Sequence, residues 1–200
     1  MAKESTLKNM VVVLSLICLI SSSLLGGAYV LTKEPIEAAR MSKINESIAK
    51  VVPSFDNNPN GEFFIKEFNG DSYKVYPAKK EGKIVGYAIE TFSNAGFGGR
   101  ITLMVGYRTD STIVNTVVLS HSETPGLGEK MVEGKSNFSL QFIGKNPSEF
   151  KLSVKKDGGD VDAITASTIS SRAFCDALVS SYEVFKLCMA DQPKKEVTNE

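Results

Sequence analysis

Residues 84–107 read IVGYAIETFSNAGFGGRITLMVGY. Two runs rich in β-branched and aromatic residues, Ile84–Phe92 and Arg100–Tyr107, flank the tip Gly96-Phe97-Gly98-Gly99, which is the pattern of a β-hairpin. The same pattern continues outward on both sides. Phe63–Phe68 and Tyr73–Ala78 precede the hairpin and Ile113–Ser120 follows it, with breaks at Asn69-Gly70-Asp71, Glu81-Gly82-Lys83 and Thr109-Asp110-Ser111. Consecutive strands joined by turns this short predict an antiparallel meander. Further on come a Gly-rich loop (Glu123–Gly128), a short mixed segment to Asn146, a strand at Phe150–Val154 and a polar turn, Asp157-Gly158-Gly159-Asp160. A final helix carries Phe174, Ala177, Leu178, Phe185 and Cys188 on one face, a core-facing stripe rather than a set of cofactor ligands. Strands followed by a packing helix make the class α+β, in one domain.

The N-terminal part is of another kind. Residues 10–31 (MVVVLSLICLISSSLLGGAYVL) carry no charge, and as a helix they rise ~33 Å, enough to cross a hydrocarbon core. A cleaved signal peptide competes with a retained anchor. The length of the run and the lack of a small-x-small cleavage site favour the anchor, and Cys18 lies too far inside the run for a lipoprotein site. Lys3 and Lys8 precede the run while Lys33 and Arg40 follow it, a weak positive-inside signal that leans towards an inner N-terminus and an outer domain. Glu34-Pro35 then opens a second helix, with Ile44, Ile48 and Val51 at helical spacing until Pro53. The expected organisation is a short N-terminal segment (1–9), a transmembrane helix in contact with membrane lipid (10–31), a connecting helix (32–53), the domain (54–190) and a polar, disordered tail (191–200).

Composition removes several function classes. Basic and acidic residues number 23 each, and the domain without its first 31 residues stays near neutral, so there is no electrostatic footprint for nucleic acid. Among the three cysteines, Cys175 and Cys188 fall ~20 Å apart along one helix, too far to bridge. With no C-x-x-C and a single His121, an iron–sulfur or zinc site is not expected. A nicotinamide fingerprint, G-x-G-x-x-G, is also lacking, so the chain has no complete active site of its own and no catalytic residue is assigned.

Two segments carry chemistry. Asp162-Ala163-Ile164-Thr165-Ala166-Ser167-Thr168-Ile169-Ser170-Ser171 crowds hydroxyls at the entrance of the last helix, where free backbone N–H groups and the dipole suit a phosphate. Residue type alone favours a plain helix cap there, because Ser and Thr supply caps routinely. The second segment is His121-Ser122-Glu123-Thr124-Pro125-Gly126-Leu127-Gly128, which by itself says only loop.

Taken together and in this order, the two segments resemble the covalently flavinylated FMN-binding subunits of membrane redox complexes. The likeness is to the G subunit of the Rnf complex more than to the C subunit of the sodium-pumping NADH:quinone reductase, and it covers residues 85–190 most strongly. Asp162, Thr165 and Thr168 fill the defining positions of the family pattern Asp-x-x-Ser/Thr-Gly-Ala-Thr, whereas Ala166 and Ser167 replace its usual Gly-Ala. Glu123–Gly128 matches the family's Glu-Thr-Pro-Gly-Leu-Gly signature. The resemblance implies FMN esterified to Thr168, with Glu123, Thr124, Gly126, Leu127, Gly128, Lys130, Ile164, Thr165, Ala166 and Ser167 around it. It implies a flavin transferase that uses FAD and Mg²⁺ and reads Asp162, and further membrane subunits as partners. It also implies a single-pass protein of the bacterial inner membrane with a periplasmic domain that carries electrons in an ion-translocating complex. His121 is either a proton donor to flavin or a structural loop histidine. A reading of another class stays open: a non-redox extracytoplasmic binding or assembly module in which the hydroxyls only cap the helix.

Overall fold

The computed structural model describes residues 6–191, so the outer parts of the expected N-terminal segment and tail lie outside the described residues. Two compact units divide the chain at Lys43/Ile44. The first is most of one long helix, α1 (Leu7–Val51), whose apolar residues from Leu7 to Leu31 are all exposed. It is long and apolar enough to cross a membrane.

The expectation of two helices, 10–31 and one opened by Pro35, is not what the structure shows: α1 runs through Pro35 without a break. Proline in a helix interior removes one i→i−4 bond. Here the loss is confined to the Leu31 carbonyl, because strong helix formers stand on either side. The adjacent turn is reinforced by the Thr32 hydroxyl, which donates to the Ala28 carbonyl at 2.8 Å.

The second unit is built on a five-stranded antiparallel sheet in sequence order: β1 (Phe64–Phe68), β2 (Asp71–Lys80), β3 (Lys83–Gly96), β4 (Gly99–Arg108) and β5 (Ile113–Ser120). The first two hairpins close on Asn69-Gly70 and Glu81-Gly82, each pair with positive φ, which is the type I′ geometry that follows strand twist. Alternation then divides the side chains between two cores. Val75, Tyr87, Ile89, Leu103, Val105 and Tyr107 face α2 (Thr168–Ala190) and its Phe174, Leu178 and Phe185. Tyr76, Ala78, Ala88 and Met104 face the opposite way, against Ile44, Ile48 and Val51 at the end of α1. The stripe expected on the last helix is buried throughout. Burial pushes the Cys175 thiol up to about 12 and the Cys188 thiol up to about 11, so both act as small apolar core residues.

The strand expected at Phe150–Val154 does not form. Only Val154 bridges, to Val161, and Lys155–Asp157 is a single 3₁₀ turn. Segment 151–161 satisfies its own backbone instead. Lys151 N–H donates to the Asp160 carboxylate at 2.7 Å, and Val161 N–H donates to the Ser153 carbonyl at 3.0 Å. A strand needs a partner along its length, and this segment folds back on itself before reaching one.

Candidate functional site

Helix α2 begins at Thr168, and its first intrahelical bond runs from Ser171 N–H to the Ser167 carbonyl at 3.0 Å. The N–H groups of Thr168, Ile169 and Ser170 therefore precede the ladder and need partners from outside the helix. Ser167 occupies the cap position but makes no side-chain capping bond. The plain capping role open to these hydroxyls is thus not the one Ser167 performs.

In front of this helix end lies a cavity of about 350 Å³. Glu123, Thr124, Leu127 and Gly128 line one side, Ala166 to Ser170 another, and Phe97 at the tip of the β3–β4 hairpin a third. Leu127, Phe97 and Ile169 present apolar surface, being 41%, 69% and 48% exposed. The arrangement offers apolar walls for a flat ring and a cluster of N–H donors for an anion.

The hydroxyls at the corner are not equivalent. Ser170 donates to the Glu123 carboxylate at 2.6 Å, and Ser171 donates to the Ser167 carbonyl while accepting from Ile164 N–H at 2.9 Å. Both are buried. Thr165 opens on a second cavity. Thr168 is half-buried, lines the first cavity, and makes no side-chain hydrogen bond among the described residues.

Glu123 is a fastening rather than an open ligand. Only 6% exposed, it accepts from Ser170 Oγ with one oxygen and from Gly98 N–H at 3.1 Å with the other, so a single carboxylate joins the β3–β4 hairpin, the 123–128 loop and α2. Gly128 serves the same joint. A Cβ there would stand 2.4 Å from the Glu123 carboxylate and 2.7 Å from Ser170 Oγ, so its smallness makes room for protein and not for a ligand. Gly126 lines neither cavity; its N–H donates to the Glu129 carboxylate at 3.2 Å. His121 accepts the Glu123 N–H on Nδ1 at 3.1 Å and stays outside the cavity, which is the structural role.

The set expected around a cofactor is split by the structure. Glu123, Thr124, Leu127, Gly128, Ala166, Ser167 and Thr168 share the first cavity. Lys130, Ile164, Thr165 and Asp162 line the second, of about 390 Å³, behind the 162–165 segment. The chain turns at Thr165-Ala166, where Ala166 takes a φ of +61°, so the residues before the turn line the second cavity and those after it the first. Phe97 and Ile169 were not foreseen as walls, although the Gly-rich tip that carries Phe97 was the available signal.

Residues 96–183 match the FMN-binding domain family, a span that runs from the hairpin tip into α2 and contains every residue lining the first cavity. The chain is 38% identical over 170 residues to the G subunit of the ion-translocating oxidoreductase complex of Haemophilus influenzae (strain PittEE), covering 81% of this chain and 82% of the relative. It is 34% identical over 179 residues to the protein of that name in Vibrio atlanticus (strain LGP32), covering 84% and 85%. The chain belongs to the family of G subunits of ion-translocating oxidoreductase complexes. In this member of the G-subunit family the stretch that matches the FMN-binding domain follows the N-terminal apolar helix, and the match ends within α2. Within that family frame Ala166 gains a meaning: its φ is +61°, the left-handed region that favours glycine, which is the residue the family pattern has there.

Proposed function

We propose that this chain is an electron-transfer subunit of a membrane-bound ion-translocating oxidoreductase complex, with FMN esterified through its phosphate to Thr168. The observation that carries the assignment is the placement of Thr168. It is the free, accessible hydroxyl at the first residue of α2, beside unladdered N–H groups and inside the cavity closed by Glu123–Gly128. A phosphoester there lies at the positive end of the helix dipole, a favourable site for an anion by about 0.3–1 kcal/mol. Bound FMN supplies one-electron redox chemistry. The chain's residues hold the phosphate at α2 and flank the ring with Phe97, Leu127 and Ile169.

Among the described residues no base is bonded to Thr168, and the nearby Glu123 carboxylate is committed to Ser170 and Gly98. A threonine hydroxyl needs activation to act as a nucleophile, so attachment calls for a separate flavin transferase. With FAD as donor, the Thr168 Oγ–P bond forms as the pyrophosphate bond breaks, AMP leaves, and the hydroxyl proton passes to a base of the transferase. Asp162, with its carboxylate 74% exposed, is available for that enzyme to read.

Thr168→Val keeps the shape and removes the oxygen. Co-expressed with the transferase, wild type fluoresces in a denaturing gel, and its tryptic peptide 157–172 gains the mass of FMN less one water. The variant folds and shows neither. Fluorescence retained in the denatured variant places the attachment elsewhere. The partners are the other subunits of the complex, the transferase, and membrane lipid along residues 10–31. The domain lies on the periplasmic side of the inner membrane.

A further inference from the structure

Asp162 and the residues after it have no neighbouring strand, yet both main-chain polar groups of Asp162 are paired, and one side chain does it. Gln141, half-buried in the 3₁₀ turn Ser139–Phe142, accepts the Asp162 N–H on Oε1 at 2.8 Å and donates from Nε2 to the Asp162 carbonyl at 3.2 Å. A second bond from Nε2 to the Phe138 carbonyl at 2.9 Å fixes the amide in its own turn. The glutamine thus imitates an adjacent β-strand for one residue. The Asp162 carboxylate, paired among the described residues with exposed Lys155 at 2.7 Å, is left pointing outward.

We infer that Gln141 is a positioning residue for flavin attachment, setting where the Asp162 carboxylate stands relative to Thr168 when the transferase engages the segment. This rests on the reading of Thr168 as acceptor. Five residues lie between Asp162 and Thr168, bounded by the start of α2 at one end and the Gln141 clamp at the other, and held between by the Ile164 N–H bond to Ser171 Oγ. Without the clamp, Val161 and Ile164 on either side keep their bonds to Ser153 and Ser171, but the Asp162 peptide between them loses both partners and its side chain keeps a surface ion pair with Lys155, which holds it loosely. An enzyme that must find the acid and the hydroxyl at once then meets a spread of separations.

The test uses the full chain in detergent with purified transferase, FAD and Mg²⁺, following label on Thr168 by peptide mass. Gln141→Leu lowers kcat/KM for the acceptor by about tenfold, the scale of two lost hydrogen bonds, and raises KM more than it lowers kcat. In an Asp162→Asn background the same substitution adds nothing, because it acts through Asp162. Hydrogen exchange at the Asp162 amide becomes fast in Gln141→Leu while the α2 amides keep their protection. Gln141→Glu, which keeps the acceptor for the Asp162 N–H but turns a carboxylate oxygen towards the Asp162 and Phe138 carbonyls, also lowers labelling and serves alone if the leucine variant does not fold. Wild-type labelling in either folded variant overturns the inference, as does a loss that multiplies with that of Asp162→Asn. If wild type itself takes no label on Thr168, the acceptor reading falls first; label on Thr168 with Gln141 immaterial sinks only this inference.

Discussion

Ala166 shows how much one residue can hold in a motif. At φ +61° an L-residue costs roughly 1–2 kcal/mol, while replacing it with glycine gives back part of that gain through the unfolded chain, roughly 0.4–1 kcal/mol. Ala166→Gly should therefore stabilise the domain by about 0.5–1 kcal/mol and raise its melting temperature by about 1–4 °C, read by thermal denaturation. A lower melting temperature would mean that the Ala166 methyl contributes packing in the cavity wall worth more than the strain. The same scale separates the hydroxyls. In the sequence Thr165, Ser167, Thr168, Ser170 and Ser171 are chemically alike; in the folded chain Ser170 and Ser171 are buried and bonded, and Thr168 faces the cavity with a free oxygen.

At the scale of elements, the end of α1 packs very near the backbone of β4. A Cβ at Gly106 of β4 would stand 1.6 Å from the Val51 carbonyl oxygen, so the last turn of α1 rests directly on the strand's backbone. Ile44, Ile48 and Val51 are buried by it. Gly106→Ala should cost upwards of about 3 kcal/mol, beyond the range of ordinary surface changes, seen as a lowered urea midpoint. Exchange protection should be lost first in residues 44–52, with α2 affected less. The opposite order of loss would show that the α1 contact is not what the glycine protects. The α2 face carries the functional corner, and its geometry comes from strands β3 and β4 and the Glu123 joint.

For the molecule as a whole, pH dependence follows from carboxylates held below their ordinary range. Asp157 is lowered by its two-point pairing with Arg172, Glu62 by Lys79 and Asn57, Asp110 by the Thr112 N–H, and Glu129 by the Gly126 N–H and Lys135. A depressed carboxylate binds its proton more weakly folded than unfolded. Its stabilisation is complete above the unfolded value near ~4 and is lost as pH falls through the lower folded values. Melting temperature should stay level from neutral pH down to about 5 and fall below about 4. Asp157→Asn should shallow that acid slope; an unchanged slope would remove Asp157 from the account. Glu62, Asp110 and Asp157 are exposed and Glu129 is half-buried, so each share is small and shrinks with salt. On the cell, the proposed retained anchor and outer domain predict full-length protein in the membrane fraction, with residues 62–122 cut by protease added from the outer face. Protection until the inner side is opened would reverse the orientation.

The sequence by itself determined what depends on local period and local chemistry: the apolar helix, five strands with their turns, the stripe on α2, and the two short motifs. Each of these is written within a dozen or so residues, where hydrophobic alternation and turn geometry act. Where local signals competed, they misled. Pro35 suggested a helix start and Phe150–Val154 a strand, but an isolated lost bond did not break α1, and segment 151–161 met its backbone needs at home. Only the tertiary structure decided that Ser170 and Ser171 are bonded while Thr168 faces the first cavity unbonded, that Lys130, Ile164 and Thr165 turn away from that cavity, that Glu123 joins the β3–β4 hairpin to α2, and that Gln141 pairs with the Asp162 backbone. Those facts rest on contacts such as Glu123 with Ser170 and Gln141 with Asp162, made across 47 and 21 residues of chain. No periodicity spans such distances, because side chains that meet by folding need share no pattern along the sequence.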